Sequence, residues 1–174
     1  VENLLSVTRL EDGNMKLNKS AELIDEIIAE ALNHINKRSV EHRITVCESD
    51  DIMLVDVDAR LIVQVIINIV DNAVKYTPKG SEITISTERK DDMISVSIAD
   101  NGNGIEDDTK CKVFDMFYTG ANKIADSRRS LGLGLALCKT IISAHGGEIT
   151  VSDNNPHGAV FTFTLPVKEV DINE

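Results

Sequence analysis

An apolar stripe that runs up to a proline constrains the fold of this chain more than any other feature. Ile62, Val65, Ile66, Ile69, Val70 and Ala73 recur at helical spacing, and Pro78 cannot continue a helix. A long helix with Asp58 as its N-cap and Tyr76 at its end is therefore expected, with its stripe buried against a second layer. On the opposite face Asn68 and Asn72 lie four residues apart and stack, and Lys75 lies one step further along. Two amide oxygens and a cation above an apolar back fit a metal ion and phosphates. They also fit the polar outer face of an ordinary amphipathic helix, and the run alone leaves both readings open.

The rest of the chain supplies partners for that helix. Leu4, Leu5 and Leu10 predict the last turns of a helix ended by Glu11-Asp12-Gly13. Ser20 precedes a second periodic stripe, Leu23, Ile24, Ile27, Ile28, Ala31, Leu32 and Ile35. Alternating apolar residues predict strands over 42–48, 53–57, 82–88, 93–100, 148–152 and 159–165, with 82–88 and 93–100 forming an antiparallel hairpin. After a glycine loop come a short helix through about Phe117, a polar stretch over 119–130, and a helix from Leu133 to Ala144 ended by Gly146-Gly147. Strands and helices mix without strict βαβ alternation. The expected class is α+β: a two-layer sandwich whose mixed, mostly antiparallel sheet is covered on one face by helices.

Composition narrows the function classes. With 174 residues the chain is long enough for one domain with a proper core, and with 3% aromatics and no Trp that core must be aliphatic. A net charge of −11 argues against non-specific binding to nucleic acid or to an anionic membrane surface. It does not exclude a locally positive phosphate site. Cys47, Cys111 and Cys138 are odd in number and lack metal-ligand spacing, so they read as buried or idle thiols of a reducing compartment. The apolar runs are too short to span a bilayer.

Two glycine segments carry the chemistry. Asp100-Asn101-Gly102-Asn103-Gly104-Ile105 follows a strand directly. An ionised Asp accepts hydrogen bonds and donates none, so at a strand end it would pair with the exocyclic amine of adenine and repel the carbonyl of guanine. A hairpin turn is the other reading, although residues 105–108 look like a helix start rather than a returning strand. Ser130-Leu131-Gly132-Leu133-Gly134-Leu135 opens a helix whose free amides suit phosphate. Lys123, Arg128 and Arg129 stand in a stretch that could close as a lid. Glycines for helix packing are the alternative. The spacing is neither a Rossmann fingerprint nor a Walker loop.

Taken in order, these segments resemble the catalytic, ATP-binding domain of sensor histidine kinases, a Bergerat fold shared with gyrase-type ATPases. Asn68 to Pro78 resembles the N box, and residues 100–104 the first glycine box. Phe114-Asp115-Met116-Phe117 resembles the F box, and Gly132-Leu133-Gly134-Leu135 the second glycine box. Gly158-Ala159-Val160-Phe161 stands where a third short motif is expected. The resemblance implies ATP and Mg²⁺ as ligands. It implies that Asn72 holds the metal, that Lys75 contacts phosphate, and that Tyr76 packs on adenine while Asp100 reads its amine. Gly102, Gly104, Ile105 and Phe117 would border the nucleotide, and the amides of Gly132, Leu133, Gly134 and Leu135 would hold its phosphates. Asn68 and Lys75 are the expected catalytic pair.

Asn68 occupies a position that is usually Glu in the ATPase branch. An amide takes up no proton at neutral pH, so poor hydrolysis is expected and the γ-phosphoryl group is kept for another acceptor. Three departures from the pattern stand out: Ser130 for a glycine, Thr119 for a cation, and Ala159 for a hydroxyl residue.

The likeness extends to the partners. Residues 1–13 resemble the tail of a dimerisation helix and linker, 14–170 the catalytic domain, and 171–174 a C-terminal tail. His34, His42, His145 and His157 lack the acid and proline that follow a phosphoacceptor. The substrate histidine is therefore expected upstream, on the dimerisation domain of the same kinase, with a cognate response regulator downstream. His145 reads as structural and His34 and His42 as solvated. No nucleic acid and no direct membrane contact are expected, and a monomer is, because so little of the dimer helix is present. A cytoplasmic domain of a membrane-anchored kinase fits. The wording of residues 68–76, 120–123 and 158–161 most resembles Kdp-type potassium- or osmo-sensing kinases.

Overall fold

The computed structural model describes residues 17–35, 41–47, 49, 51–110, 112–115 and 134–168. Eleven elements follow one another in these residues: β1 Ser20–Leu23, α1 Ile24–Ile35, β2 Arg43–Val46, β3 Leu54–Val57, α2 Ala59–Tyr76, β4 Glu82–Lys90, β5 Met93–Asp100, α3 Asp107–Lys110, α4 Gly134–Ala144, β6 Ile149–Asp153 and β7 Ala159–Pro166. Five strands form one sheet in the order β2-β4-β5-β7-β6, and β1 pairs with β3 beside it. All pairings are antiparallel except β2 with β4. A bridge between Val55 and Val167 joins the two sheets.

Period-two alternation turns one face of the sheet inward. Ile83, Ile85, Ile94, Val96, Ile98, Phe161, Phe163 and Leu165 are buried on it. The complete α2 stripe, Ile62, Val65, Ile66, Ile69, Val70 and Ala73, is buried opposite them. α2 packs between α1 and α4. The architecture is the expected two-layer α+β sandwich, with an aliphatic core and two buried phenylalanines from β7. Cys138 lies in that core, where burial pushes its thiol up to about 12, so it is inert at neutral pH. Cys47 is exposed, and Cys111 falls outside the described residues. Among those residues no helix is long and apolar enough to cross a membrane.

The structure corrects the sequence reading of the secondary structure and its caps at three places. Residues 20–23 form a strand, not the entry to the second helix: Ser20 to Leu23 pair with Val57 to Leu54, and the helix begins one residue after Leu23. The short helix after the glycine loop is a single turn, Asp107–Lys110, although turns continue to Asp115. Asp58 is at the N-cap of α2, but its side chain caps nothing. Its carboxylate instead takes the Asn18 amide at 3.2 Å and both Arg60 Nε and Nη2, at 3.3 and 3.2 Å. Burial pushes this carboxyl up, but the Arg60 and Asn18 hydrogen bonds outweigh it and the net shift is downward.

His145, 2% exposed, ties the end of α4 to the start of α2. Its Nδ1 donates to the Ile141 carbonyl at 2.8 Å, and its Nε2 accepts the Asp58 amide at 3.1 Å. Only a neutral ring can do both. Burial holds its pKa below the ordinary 6.5, helped by Lys19 and opposed by the Ile141 carbonyl, Asp58 and Asp56. The unfolded chain therefore binds this proton more readily than the folded one. The stability contributed by His145 is complete above about pH 6.5 and is lost as pH falls through the depressed folded value. Thermal midpoints measured from pH 7.5 down to 5.5 should fall less steeply in His145→Gln, whose oxygen still accepts the Asp58 amide.

Candidate functional site

Three pieces of chain carry the expected site residues, and the second and third both touch α2. The first is the polar face of α2. Asn68 Oδ1 accepts Gln64 Nε2 at 2.7 Å, and its Nδ2 donates to the Gly134 carbonyl at 3.4 Å. Asn68 thereby ties α2 to the first turn of α4. One turn further on, the Asn72 side chain is half-buried, and no described residue hydrogen-bonds to it. Lys75 Nζ stands 5.3 Å from the centroid of the Tyr76 ring, which is 44% exposed. An exposed ring of that size at the end of a helix offers a flat apolar surface.

The second piece is the loop after β5. Asp100 is 7% exposed. Its Oδ1 accepts the amides of Gly102 at 3.0 Å and Ala159 at 3.2 Å. Among the described residues no donor reaches Oδ2. The loop rests on the end of α2: a Cβ added to Gly102 would lie 2.6 Å from Thr77 Cγ2. Thr77 Oγ1 gives its proton to the Ala73 carbonyl at 2.7 Å, so His42 Nε2 is the donor in their 2.9 Å contact. His42 is thus a half-buried structural group and not the solvated one expected. Ile105 packs on the core edge, as does Phe114, whose ring meets Phe161 edge-on at 6.0 Å. Lys110 holds α3 against β6 through Asp107 at 2.6 Å and Asp153 at 2.8 Å.

The third piece is the N-terminus of α4, where Gly134 and Leu135 are half-buried and no acidic side chain occupies the first turn. Eleven residues of aligned peptide dipoles give that end a partial positive charge. Phe117, Gly132 and Leu133 lie outside the described residues. So do Thr119, Ser130, Lys123, Arg128, Arg129 and the expected lid over 119–130.

Asn68 thus touches Gly134, and the loop that carries Asp100 and Gly102 touches Thr77 at the end of the same helix, with Asn72 between the two contacts along α2. A depression of about 460 Å³ beside the glycine loop is lined by Pro78, Gly80, Asn101, Gly102, Asn103 and His157. It includes neither Asn72 nor Asp100. Among the described residues no group of three or more His, Cys, Asp or Glu could hold a metal. The unbonded Asn72 amide nonetheless fits Mg²⁺, which prefers hard oxygen and completes its shell with water and phosphate.

Sequence reasoning misses the supports Gln64, Asn154 and His157, and marks Gly158 as part of a motif without showing what it packs against. A Cβ on Gly158, at φ +117°, would lie 1.9 Å from the Asp100 carbonyl oxygen. Asn154 Nδ2 donates to that same oxygen at 2.8 Å. The run Asn154-Asn155-Pro156-His157-Gly158 signals a turn, but not which loop it reaches.

Residues 57–169 match the family described as Histidine kinase-, DNA gyrase B-, and HSP90-like ATPase, and the chain belongs to that family. Sensor protein KdpD of Clostridium acetobutylicum is 45% identical over 166 residues, covering 95% of this chain and 18% of that protein. This agrees with the Kdp-type wording of the motifs. The chain spans less than a fifth of that relative's length. The catalytic domain of the histidine kinase ThkA, solved without nucleotide, superposes with a TM-score of 0.73 at 30% identity, covering 87% of this chain and 96% of that one. ThkA in complex with the response regulator protein TrrA gives a TM-score of 0.73 at 27% identity, covering 96% of this chain and 48% of that one.

Proposed function

We propose that this chain is the catalytic domain of a sensor histidine kinase, which takes ATP with Mg²⁺ and passes the γ-phosphoryl group to a histidine on a separate dimerisation domain. The observation that carries this reading is Asn68, held between Gln64 and the Gly134 carbonyl. An amide fixed there cannot deprotonate water, so the site favours transfer over hydrolysis. What remains is positioning and electrostatic stabilisation, which are the main needs of phosphoryl transfer. Asn72 would hold the metal, and Lys75 and the first-turn amides of α4 would hold the phosphates. Tyr76 would cover one face of the adenine, and Asp100 Oδ2 would accept its amine. Mg²⁺, when bound, neutralises charge on the phosphates.

By the same reading residues 1–13 lead from the dimerisation domain, 14–170 form the catalytic domain and 171–174 a tail. The partners are that dimerisation domain and a response regulator. The domain would sit on the cytoplasmic side of a membrane-anchored kinase, and the Kdp-type wording of its motifs supports a potassium- or osmo-sensing kinase. The test mixes the chain with a separately purified dimerisation domain and γ-labelled ATP. Acid-labile, base-stable label on histidine is the expected result. Free phosphate released without any acceptor would instead identify an ATPase, and nucleotide bound without transfer a scaffold.

Asp100→Asn supplies a second check. Asn can offer its oxygen to the Gly102 and Ala159 amides only by turning its NH₂ towards the base. Loss of one charge-assisted hydrogen bond should weaken ATP binding by about tenfold or more and narrow the preference for ATP over GTP. An unchanged preference would remove Asp100 as the reader.

A further inference from the structure

We propose that the turn between β6 and β7 is a clamp that sets the adenine-reading loop, and that His157 is a positioning residue for nucleotide selection; this rests on the reading of Asp100 given above. A loop with glycines at 102 and 104 has little intrinsic preference for one shape. Something outside it must hold it if a single carboxylate oxygen is to face a base. The turn at 154–158 meets this loop at several points. Asn154 Nδ2 donates to the Asp100 carbonyl at 2.8 Å, and His157 Nδ1 lies 3.0 Å from the Gly102 carbonyl. A carbonyl oxygen carries no proton, so the ring must donate from Nδ1. The Ala159 amide, one residue past the turn, takes Asp100 Oδ1.

Gly102 is therefore pinned on both sides of its Cα. Its N–H is held by Asp100 Oδ1 at 3.0 Å and its C=O by His157, while Thr77 blocks the space beside it. The turn is itself rigid enough to act as a reference. The Asn154 amide donates to the Gly158 carbonyl at 3.0 Å, and the Asn155 amide to Asn154 Oδ1 at 2.9 Å. Asp153, at the end of β6, is anchored by Lys110 at 2.8 Å. His157 is exposed, so its ring contributes little to the core. Its one hydrogen bond within the described residues goes to the loop that carries the reader.

The test compares wild type, His157→Ala and His157→Asn, with Asn154→Ala as an independent variant at the other contact. Asn places its Nδ2 where the ring places Nδ1, so it keeps the donor and discards the ring. His157→Ala should leave the thermal midpoint unchanged, raise the exchange rate of the Gly102 amide about tenfold and weaken ATP binding about fivefold, as expected for loss of one hydrogen bond. The ratio of ATP to GTP affinity should narrow. His157→Asn should restore both the affinity and the ratio, and Asn154→Ala should reproduce the loss. Unchanged Gly102 exchange in His157→Ala, read without nucleotide, overturns the clamp itself. Unchanged nucleotide preference, or failure of Asn to rescue it, overturns the selection role. A wild-type chain that takes up no nucleotide overturns the functional reading, while the exchange measurement still decides whether the clamp exists.

Discussion

Replacing Gly158 with alanine is expected to cost about 3 kcal/mol and to lower the thermal midpoint by roughly 10 °C. Two effects add. At φ +117° an L side chain is strained whatever space surrounds it. The space is also absent, because the new Cβ would fall 1.9 Å from the Asp100 carbonyl oxygen, a backbone atom that no rotamer change can move. Relief requires β7 to withdraw from the end of β5. That withdrawal takes with it the Ala159 amide that holds Asp100 Oδ1. The variant should therefore lose stability and adenine selectivity together. Calorimetric melting with ATP and GTP titrations would show this, and a midpoint within 2 °C of wild type would mean that the close approach of these strands is wrong.

Asn72→Ala is expected to have the opposite profile: an intact fold with nearly all magnesium-dependent ATP binding gone. Asn72 is half-buried on the rim of α2, and no described residue depends on its amide, so its removal leaves no unpaired partner behind. Alanine is also the better helix former. What disappears is the hard oxygen proposed for the metal. Nucleotide titrations with Mg²⁺ and with EDTA should differ strongly for wild type and hardly at all for the variant. A variant that keeps the wild-type response to magnesium would remove Asn72 as the metal ligand.

Local pattern accounts for most of the fold. The stripe from Ile62 to Ala73 is buried in full, and the alternation at 83–85, 94–98 and 161–165 marks the inward face of the sheet. Asn68 and Asn72 share the polar face that their spacing predicts, and Asn68 touches Gly134, joining two of the motifs. Long-range partnership is less legible. Nothing in Ser20-Ala21-Glu22-Leu23 reveals a strand, because its partner lies more than thirty residues away at Leu54–Val57. The parallel pairing of β2 with β4 is hidden for the same reason. Asp58 shows how tertiary contacts override a local rule: its sequence position is that of a cap, yet Arg60 and Asn18 capture the carboxylate first. The supports of the site, Gln64, Asn154 and His157, are polar residues in ordinary helical or turn contexts, and only the folded chain shows what they hold.

Whether this chain is a nucleotide-binding domain is decided by a calorimetric titration of the folded chain with ATP, run with and without Mg²⁺. Saturable binding that strengthens with the metal and exceeds that of GTP is expected. A folded chain that takes up no adenine nucleotide in the presence of magnesium would overturn the assignment.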